Sequence, residues 1–112
     1  MIRTVLISNK DIIFFELLES VIEKALGVSY WSLKTAKRER LLVYSRIIYT
    51  NICRDKAITI EKIAYRLQRD HSAISYYIKV YPAYLTYDDF KELNEVVLKQ
   101  LKETINERNI NT

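Results

Sequence analysis

Apolar residues recur three and four positions apart along most of the chain, the spacing that lines one face of an α-helix. The first such stretch begins near Asn9 or Asp11 and continues to about Ala25. Gly27 follows directly, and glycine readily adopts the left-handed conformation that ends many helices. We therefore predict a first helix that stops just before Gly27.

A short turn of helix is predicted between Val28 and Leu33. Ser29 is placed to cap it, because a serine hydroxyl accepts a hydrogen bond from a free backbone N–H of the first helical turn. Trp31 and Leu33 are expected to pack inward, with Trp31 as an anchor of the core rather than a platform for a ligand.

A longer helix is predicted from about Ala36 to Arg54, where apolar residues again follow the helical period. The apolar stripe consists of Leu41, Tyr44, Ile47, Ile48 and Ile52. Several cations lie off that stripe: Lys37, Arg38, Arg40, Arg46 and Arg54. We expect these charges to face solvent, because an amphipathic helix turns its polar side outward.

Two short amphipathic helices joined by a tight turn are predicted between Ile58 and Val80. Thr59 is placed to cap the first of them, Ile60–Leu67. The dipeptide Gln68-Arg69 forms the turn. This arrangement is typical of a helix-turn-helix.

The second of these helices begins at a compact polar cluster, Asp70-His71-Ser72. Asp70 is placed to cap it by accepting from the backbone N–H of Ser72 or Ala73. The helix is expected to stop before Pro82, since proline removes a backbone donor and clashes with the preceding turn.

A final helix of about 87–107 is predicted beyond a connector at 83–87. Thr86 and Asp89 have the spacing of a capping box in which Asp replaces Glu. The apolar stripe of this helix consists of Phe90, Leu93, Val97, Leu101 and Ile105. Its regularity indicates either a part of the core or the seam of a homodimer. The predicted fold is thus all-α, a helical bundle with a helix-turn-helix and an additional C-terminal amphipathic helix.

Composition narrows the function classes. The chain has 112 residues with one glycine and one proline, which favours a single helical domain over residues 1–112. Apolar runs are far shorter than the about 20 residues of a membrane span, and we see no secretory signal. Cys53 and His71 are the only cysteine and histidine, so a disulfide and a zinc site are excluded. We expect a cytoplasmic protein without a cofactor.

Charge is concentrated in the middle of the chain. Residues 34–82 carry eleven Lys and Arg against four Asp and Glu, whereas residues 1–33 and 83–112 are mildly acidic. A basic block between acidic ends predicts one electropositive face, which a phosphate backbone would attract. The helix that begins at Asp70 adds polar groups between cations, which suits entry into a DNA major groove.

The segment from Ile63 to Val80 resembles a known family. Its matching positions are Ile63, Ala64, Leu67, Arg69, Asp70, His71, Ser72, Ile74 and Lys79. An upstream order also fits: Val28, Leu33, Arg38 and, eight residues later, Arg46. Together these resemble the DNA-binding C-terminal domain of the bacterial replication initiator DnaA, over a core of about 25–81.

The resemblance implies a Trp-repressor-like fold that binds double-stranded DNA. In the family the Asp-His-Thr cluster contacts base edges, which implies that role for Asp70, His71 and Ser72. An arginine before the long helix enters the minor groove, which points to Arg38, and cations on that helix point to Arg46 and Arg54. The remaining candidate contacts around the turn are Lys62, Arg69, Ala73, Ser75 and Lys79.

The chain also departs from that pattern. The turn is one residue shorter and holds Gln68, Ala73 replaces a threonine, and Glu61 stands where proline is common. No GxxxxGK[ST] loop occurs, so we expect no nucleotide binding. A stand-alone DNA-binding protein of replication, transcription or mobile-element control is the main hypothesis, and we expect no enzyme.

Two alternatives stay open. The first is a protein-interaction module of the same fold that has lost DNA affinity and docks to replication proteins, which Glu61 and Ala73 favour. The second is binding of single strands or RNA through stacking on the tyrosines, six of which lie between Tyr65 and Tyr87. We expect Tyr77 and Tyr81 to pack the helix onto the bundle instead.

Overall fold

The described part of the chain, residues 5–110 of the computed structural model, with side chains up to Arg108, contains helices and no strand. The helices are α1 (Asn9–Leu26), α2 (Tyr30–Lys34), α3 (Arg40–Asp55), α4 (Ile60–Leu67), α5 (His71–Tyr84) and α6 (Asp88–Ile110). All six contribute side chains to one apolar core, so the all-α prediction is confirmed. None of these six is long and apolar enough to cross a lipid bilayer.

Serine hydroxyls cap the starts of both α1 and α2. The Ser8 hydroxyl accepts from the Asp11 N–H at 3.2 Å, and Ser29 accepts from the Ser32 N–H at 3.1 Å. Gly27 ends α1 with a φ of 72°. The predictions for Gly27 and Ser29 are confirmed. Sequence patterns can predict such boundaries because capping hydrogen bonds join residues only a few positions apart.

The prediction that Trp31 anchors the core is wrong. Its side chain is 74% exposed, and the Lys34 ammonium lies 3.8 Å from the centre of its ring. The five-residue helix α2 has a single inward face, and Leu33 occupies it. Two positions along a helix correspond to a rotation of about 200°, which turns Trp31 outward.

The helix α3 begins at Arg40 rather than at the predicted Ala36. Residues 35–39 precede it in an irregular conformation, and Glu39 at the N-cap makes no side-chain capping bond. The Lys37 carbonyl accepts from the Arg46 guanidinium at 2.8 Å. The stripe is also rotated slightly, since Leu42 is buried where Leu41 was expected.

The helix α4 has its predicted bounds, and the Thr59 hydroxyl caps it by accepting from the Lys62 N–H at 3.3 Å. The predicted stop of α5 before Pro82 is wrong, because the helix continues to Tyr84. Pro82 removes one intrahelical donor. Beyond the proline, the ring of Tyr84 packs edge-on to Phe90 with the ring centres 5.5 Å apart.

The predicted capping box at the start of α6 is wrong as well. The Thr86 hydroxyl donates to the Ala83 carbonyl at 2.6 Å. The Asp89 carboxylate accepts from the Tyr44 hydroxyl at 3.1 Å and from the Phe90 N–H at 2.8 Å. The Asp89 carboxylate therefore bonds to Tyr44 of α3 and does not cap the Thr86 backbone N–H as the capping-box pattern predicts.

The helix α6 packs against α1, which decides between the two roles left open for its apolar stripe. Phe90, Val97 and Leu101 are buried within the same chain. Phe90 also contacts the rings of Tyr44 and Tyr81, with ring centres 5.1 and 6.0 Å away. The stripe is part of the core.

Candidate nucleic-acid interface

A three-residue turn joins α4 to α5 and fixes the start of α5. Gln68 adopts a left-handed conformation with a φ of 55° and so ends α4. The Arg69 N–H donates to the Ala64 carbonyl at 3.0 Å. Asp70 is extended, with φ −67° and ψ 153°, and α5 starts at His71. The tight turn predicted from the sequence is therefore present.

Five of the candidate residues are exposed at the start of α5 or further along it, and we call them the outer face. The members of this outer face are Asp70, His71, Ser72, Ser75 and Lys79. His71, Ser75 and Lys79 are four residues apart, which places them in one row on a helix. The opposite side packs inward through the buried Ile74 and the partly buried Tyr77 and Tyr81, as predicted for the two tyrosines.

The Asp70 carboxylate makes no capping hydrogen bond, so that prediction is wrong. Only its backbone carbonyl closes the first turn, by accepting from the N–H groups of Ala73 at 3.0 Å and Ile74 at 3.3 Å. Asp70 thus has the position of an N-cap residue while its carboxylate remains exposed. Both carboxylate oxygens are available to a donor from outside the protein.

A groove of about 680 Å³ runs beside the first turn of α5. Arg38, on the segment before α3, and Ser72 and Ala73, on α5, line the same groove. Arg38 is exposed. The tertiary structure therefore brings Arg38 to the start of α5, although the two are more than thirty residues apart in the chain.

Three tyrosines of α5 also line this groove, namely Tyr76, Tyr77 and Tyr84. Tyr76 is about half exposed, with its ring centre 6.3 Å from that of Tyr77. Burial, followed by neighbouring tyrosines, raises the pKa of Tyr84. The groove thus combines three arginines (Arg38, Arg46 and Arg69), the Asp70 carboxylate, the Ser72 hydroxyl and tyrosine rings.

Arg46 is buried rather than exposed on the polar side of α3. Its residue surface is 3% exposed, and its guanidinium donates to the carbonyls of Leu33 at 2.9 Å, Thr35 at 2.7 Å and Lys37 at 2.8 Å. Burial, and then the charge of Arg69, lowers its pKa. The sequence carries a signal for this, since Arg46 is the only charged residue between Arg40 and Arg54. A helix that is apolar nearly all round is buried.

Arg69 is partly buried and contributes to the same cluster of carbonyls. Its Nη2 donates to the Thr35 carbonyl and, at 3.4 Å, to the Leu33 carbonyl. Its Nε is buried without a partner among the described residues. Arg69 therefore ties the turn between α4 and α5 to the segment before α3.

Two further candidate cations make contacts within the protein. The Lys62 ammonium pairs with the Asp11 carboxylate of α1 at 3.0 Å, with both side chains partly buried. Arg54 is exposed at the end of α3 and donates to the Ile58 carbonyl at 2.8 Å. Neither lines the groove beside α5.

A buried acid is the feature that the sequence reasoning missed. Glu19 of α1 accepts a two-pronged ion pair from Arg66 of α4, at 2.7 and 2.8 Å, and a hydrogen bond from the Tyr49 hydroxyl at 2.7 Å. The hydrogen bond to Glu19 raises the pKa of Arg66 despite its burial. Glu19 lies among apolar residues on α1, between Leu18 and Val21, which is the signal for its burial.

Comparisons of the chain with protein-family models, curated proteins and solved structures gave no match.

Proposed function

We propose that this protein binds double-stranded DNA, with α4 and α5 acting as a helix-turn-helix and the first turn of α5 entering the major groove. The observation that carries this proposal is the exposure of Asp70, His71 and Ser72 together at the start of α5. In proteins with this motif, the N-terminal residues of the second helix contact base edges.

The side chains of that first turn have the chemistry for reading bases. The free carboxylate of Asp70 can accept a hydrogen bond from a cytosine amine. The His71 imidazole and the Ser72 hydroxyl both offer a donor and an acceptor, so either can address a base edge or a phosphate. Ser75 is exposed one turn further along the same row as His71.

Exposed cations around the outer face supply the attraction to phosphates. Lys79 lies at the far end of the row, and Arg38 lies beside the groove. Arg54 is a more distant candidate at the end of α3. We leave Arg46 and Lys62 out of the proposed interface, because their charged groups already contact carbonyls and Asp11.

The resemblance to the C-terminal domain of DnaA is consistent with this proposal. It supports a cytoplasmic protein of replication, transcription or mobile-element control that acts by binding rather than catalysis. The Trp-repressor-like topology and the family membership belong to the proposal, and they stand on the residues between Ile63 and Val80.

Selection from random duplex DNA with the purified protein tests the proposal. We expect an enriched site, and an affinity for it that falls with salt at a log–log slope of about −2 to −3, for two or three phosphate contacts. Lys79→Ala should reduce the magnitude of that slope by about 1. Lys99→Ala, an exposed lysine on α6, is the matched control and should leave the slope unchanged.

A protein-interaction module is the second candidate, and a specific observation favours it. Arg40, Lys62 and Arg66, three cations of the basic block, pair with acids from the two acidic ends of the chain. This pairing lowers the charge that the surface presents. Absence of duplex binding at low salt would favour a docking role, and equal affinity for single and double strands would favour stacking on the tyrosines.

A further inference from the structure

The segment between α2 and α3 turns its carbonyl groups toward two arginines. Arg46 donates to the carbonyls of Leu33, Thr35 and Lys37. Arg69 donates to the Thr35 carbonyl as well, and to that of Leu33. We call the two guanidiniums and these three carbonyls the carbonyl clamp.

Arginine chemistry explains why one side chain can hold the carbonyls of three alternate residues, Leu33, Thr35 and Lys37. A guanidinium has five N–H donors in a rigid planar fork and no acceptor, whereas a lysine ammonium is a compact point charge. Irregular segments usually leave such carbonyls to water and remain mobile. Here the bonds of Arg46 are buried or partly buried, so residues 35–37 are fixed without regular secondary structure.

The clamp also joins two parts of the candidate interface. Arg69 directly precedes Asp70, the N-cap residue of α5. Thr35, which accepts from Arg69, lies three residues before Arg38. Because the carbonyls point inward, the side chains of Lys37 and Arg38 are left exposed, and Arg38 lines the groove shared with Ser72.

We infer that Arg46 and Arg69 are positioning residues, which hold Arg38 in a fixed place relative to the first turn of α5 so that both contact one duplex as a rigid unit. This inference rests on the proposed function. The physical reason is preorganisation, since an arm that is already ordered loses less conformational entropy on binding.

A double-mutant cycle on the selected duplex tests the inference. In the wild-type background Arg38→Ala should weaken binding by about tenfold. In the Arg69→Met background, where the clamp is opened, Arg38→Ala should weaken binding by no more than about twofold, since contacting residues are coupled and independent ones are additive. Arg46→Met should behave in the same way, and Arg69→Met keeps the test available if burial of Arg46 makes that variant unfold.

The matched control background is Arg54→Met, which removes an exposed arginine outside the clamp. Arg38→Ala should cost the same factor there as in the wild-type protein. The same factor in the Arg69→Met background would overturn the inference while leaving the proposed function intact.

Backbone order measured without DNA distinguishes failure of this inference from failure of the proposed function. NMR order parameters for the amides of residues 36–39 should be about 0.85 in the wild-type protein and below about 0.6 in Arg69→Met. Unchanged order in that variant would overturn the clamp whatever the DNA results. A wild-type protein that does not bind duplex DNA would overturn the proposed function, and the inference with it.

Discussion

The basic middle segment, residues 34–82, contains an inner region whose cations contact other protein groups and an outer region whose cations are exposed. In the inner region, Arg46 and Arg66 are directed into the fold, where carbonyls and Glu19 satisfy their guanidiniums. In the outer region, Arg38 is exposed beside the first turn of α5, and Lys79 is exposed further along that helix. Cations from the same stretch of chain are thus buried in one region and exposed in the other. A local excess of cations in the sequence therefore does not by itself predict the electrostatic potential of the surface.

The inner region stabilises the fold through a few demanding contacts. A buried charge is costly unless each of its hydrogen-bonding groups has a partner, so removal of one partner has a large effect. The outer region has little influence on stability, because its side chains are exposed and substitutions of exposed residues usually change the free energy of unfolding only slightly. The two regions should therefore respond oppositely in assays of stability and binding.

Glu19→Ala should produce the largest loss of stability. It leaves the Arg66 guanidinium and the Tyr49 hydroxyl without their shared partner. We expect the free energy of unfolding to fall by about 3 kcal/mol in urea titrations. Glu16→Ala, an exposed acid on the same helix, should change it by less than about 0.5 kcal/mol. Similar effects for the two variants would contradict the proposed importance of the buried pair.

His71→Ala should separate the two regions in the other direction. Because His71 is exposed, its removal should leave the free energy of unfolding within about 0.5 kcal/mol of the wild-type value. Affinity for the selected duplex should fall by about 1–3 kcal/mol, with little change on unrelated duplex, as measured by fluorescence anisotropy. An equal loss on both duplexes would mean that His71 contacts phosphate and does not read sequence.

Tyr49→Phe tests the inner region at high pH. Burial, together with nearby Cys53 and Glu19, raises the pKa of Tyr49 well above its ordinary value of 10.0. The folded state therefore favours the neutral phenol. Its contribution to stability is complete below pH 10 and is lost as the pH rises above that value.

Urea titrations between pH 7 and 11 measure this effect. At pH 7, Tyr49→Phe should cost about 1.5–3 kcal/mol, the usual contribution of one hydrogen bond to a charged group. Above pH 10 the variant should lose stability less steeply than the wild-type protein. Parallel decline of the two proteins would show that Tyr49 does not contribute to the alkaline transition.

Two helix starts give the smallest and sharpest comparison. Thr59 makes a side-chain capping bond, so Thr59→Ala should cost about 1 kcal/mol of stability. Asp70 makes none, so Asp70→Ala should lose only its interaction with the helix dipole, about 0.3–0.5 kcal/mol. Thermal unfolding of the two variants measures the difference. A larger loss for Asp70→Ala would indicate that its carboxylate caps α5 in solution.

The sequence by itself determined the features that depend on neighbouring residues. Gly27 and Ser29 predict helix boundaries correctly, as does Thr59, because capping involves atoms only a few positions apart. Helical spacing likewise placed Phe90 and Leu101 on one apolar stripe, although it left open whether that stripe belongs to the core or to a dimer seam. The exposure of the outer face of α5 also follows from local pattern, since its polar residues recur on one side of a short helix.

The tertiary structure alone decided which charged groups bond to other groups of the protein and which stay exposed to solvent. Arg46 and Arg66 are satisfied by carbonyls and a carboxylate from distant segments, and no local pattern encodes those partners. The same holds for Asp89, which bonds to Tyr44 instead of capping, and for the passage of α5 through Pro82. There, hydrogen bonds and packing between remote elements outweigh local preference, because a polar group that is buried without a partner carries a large desolvation cost.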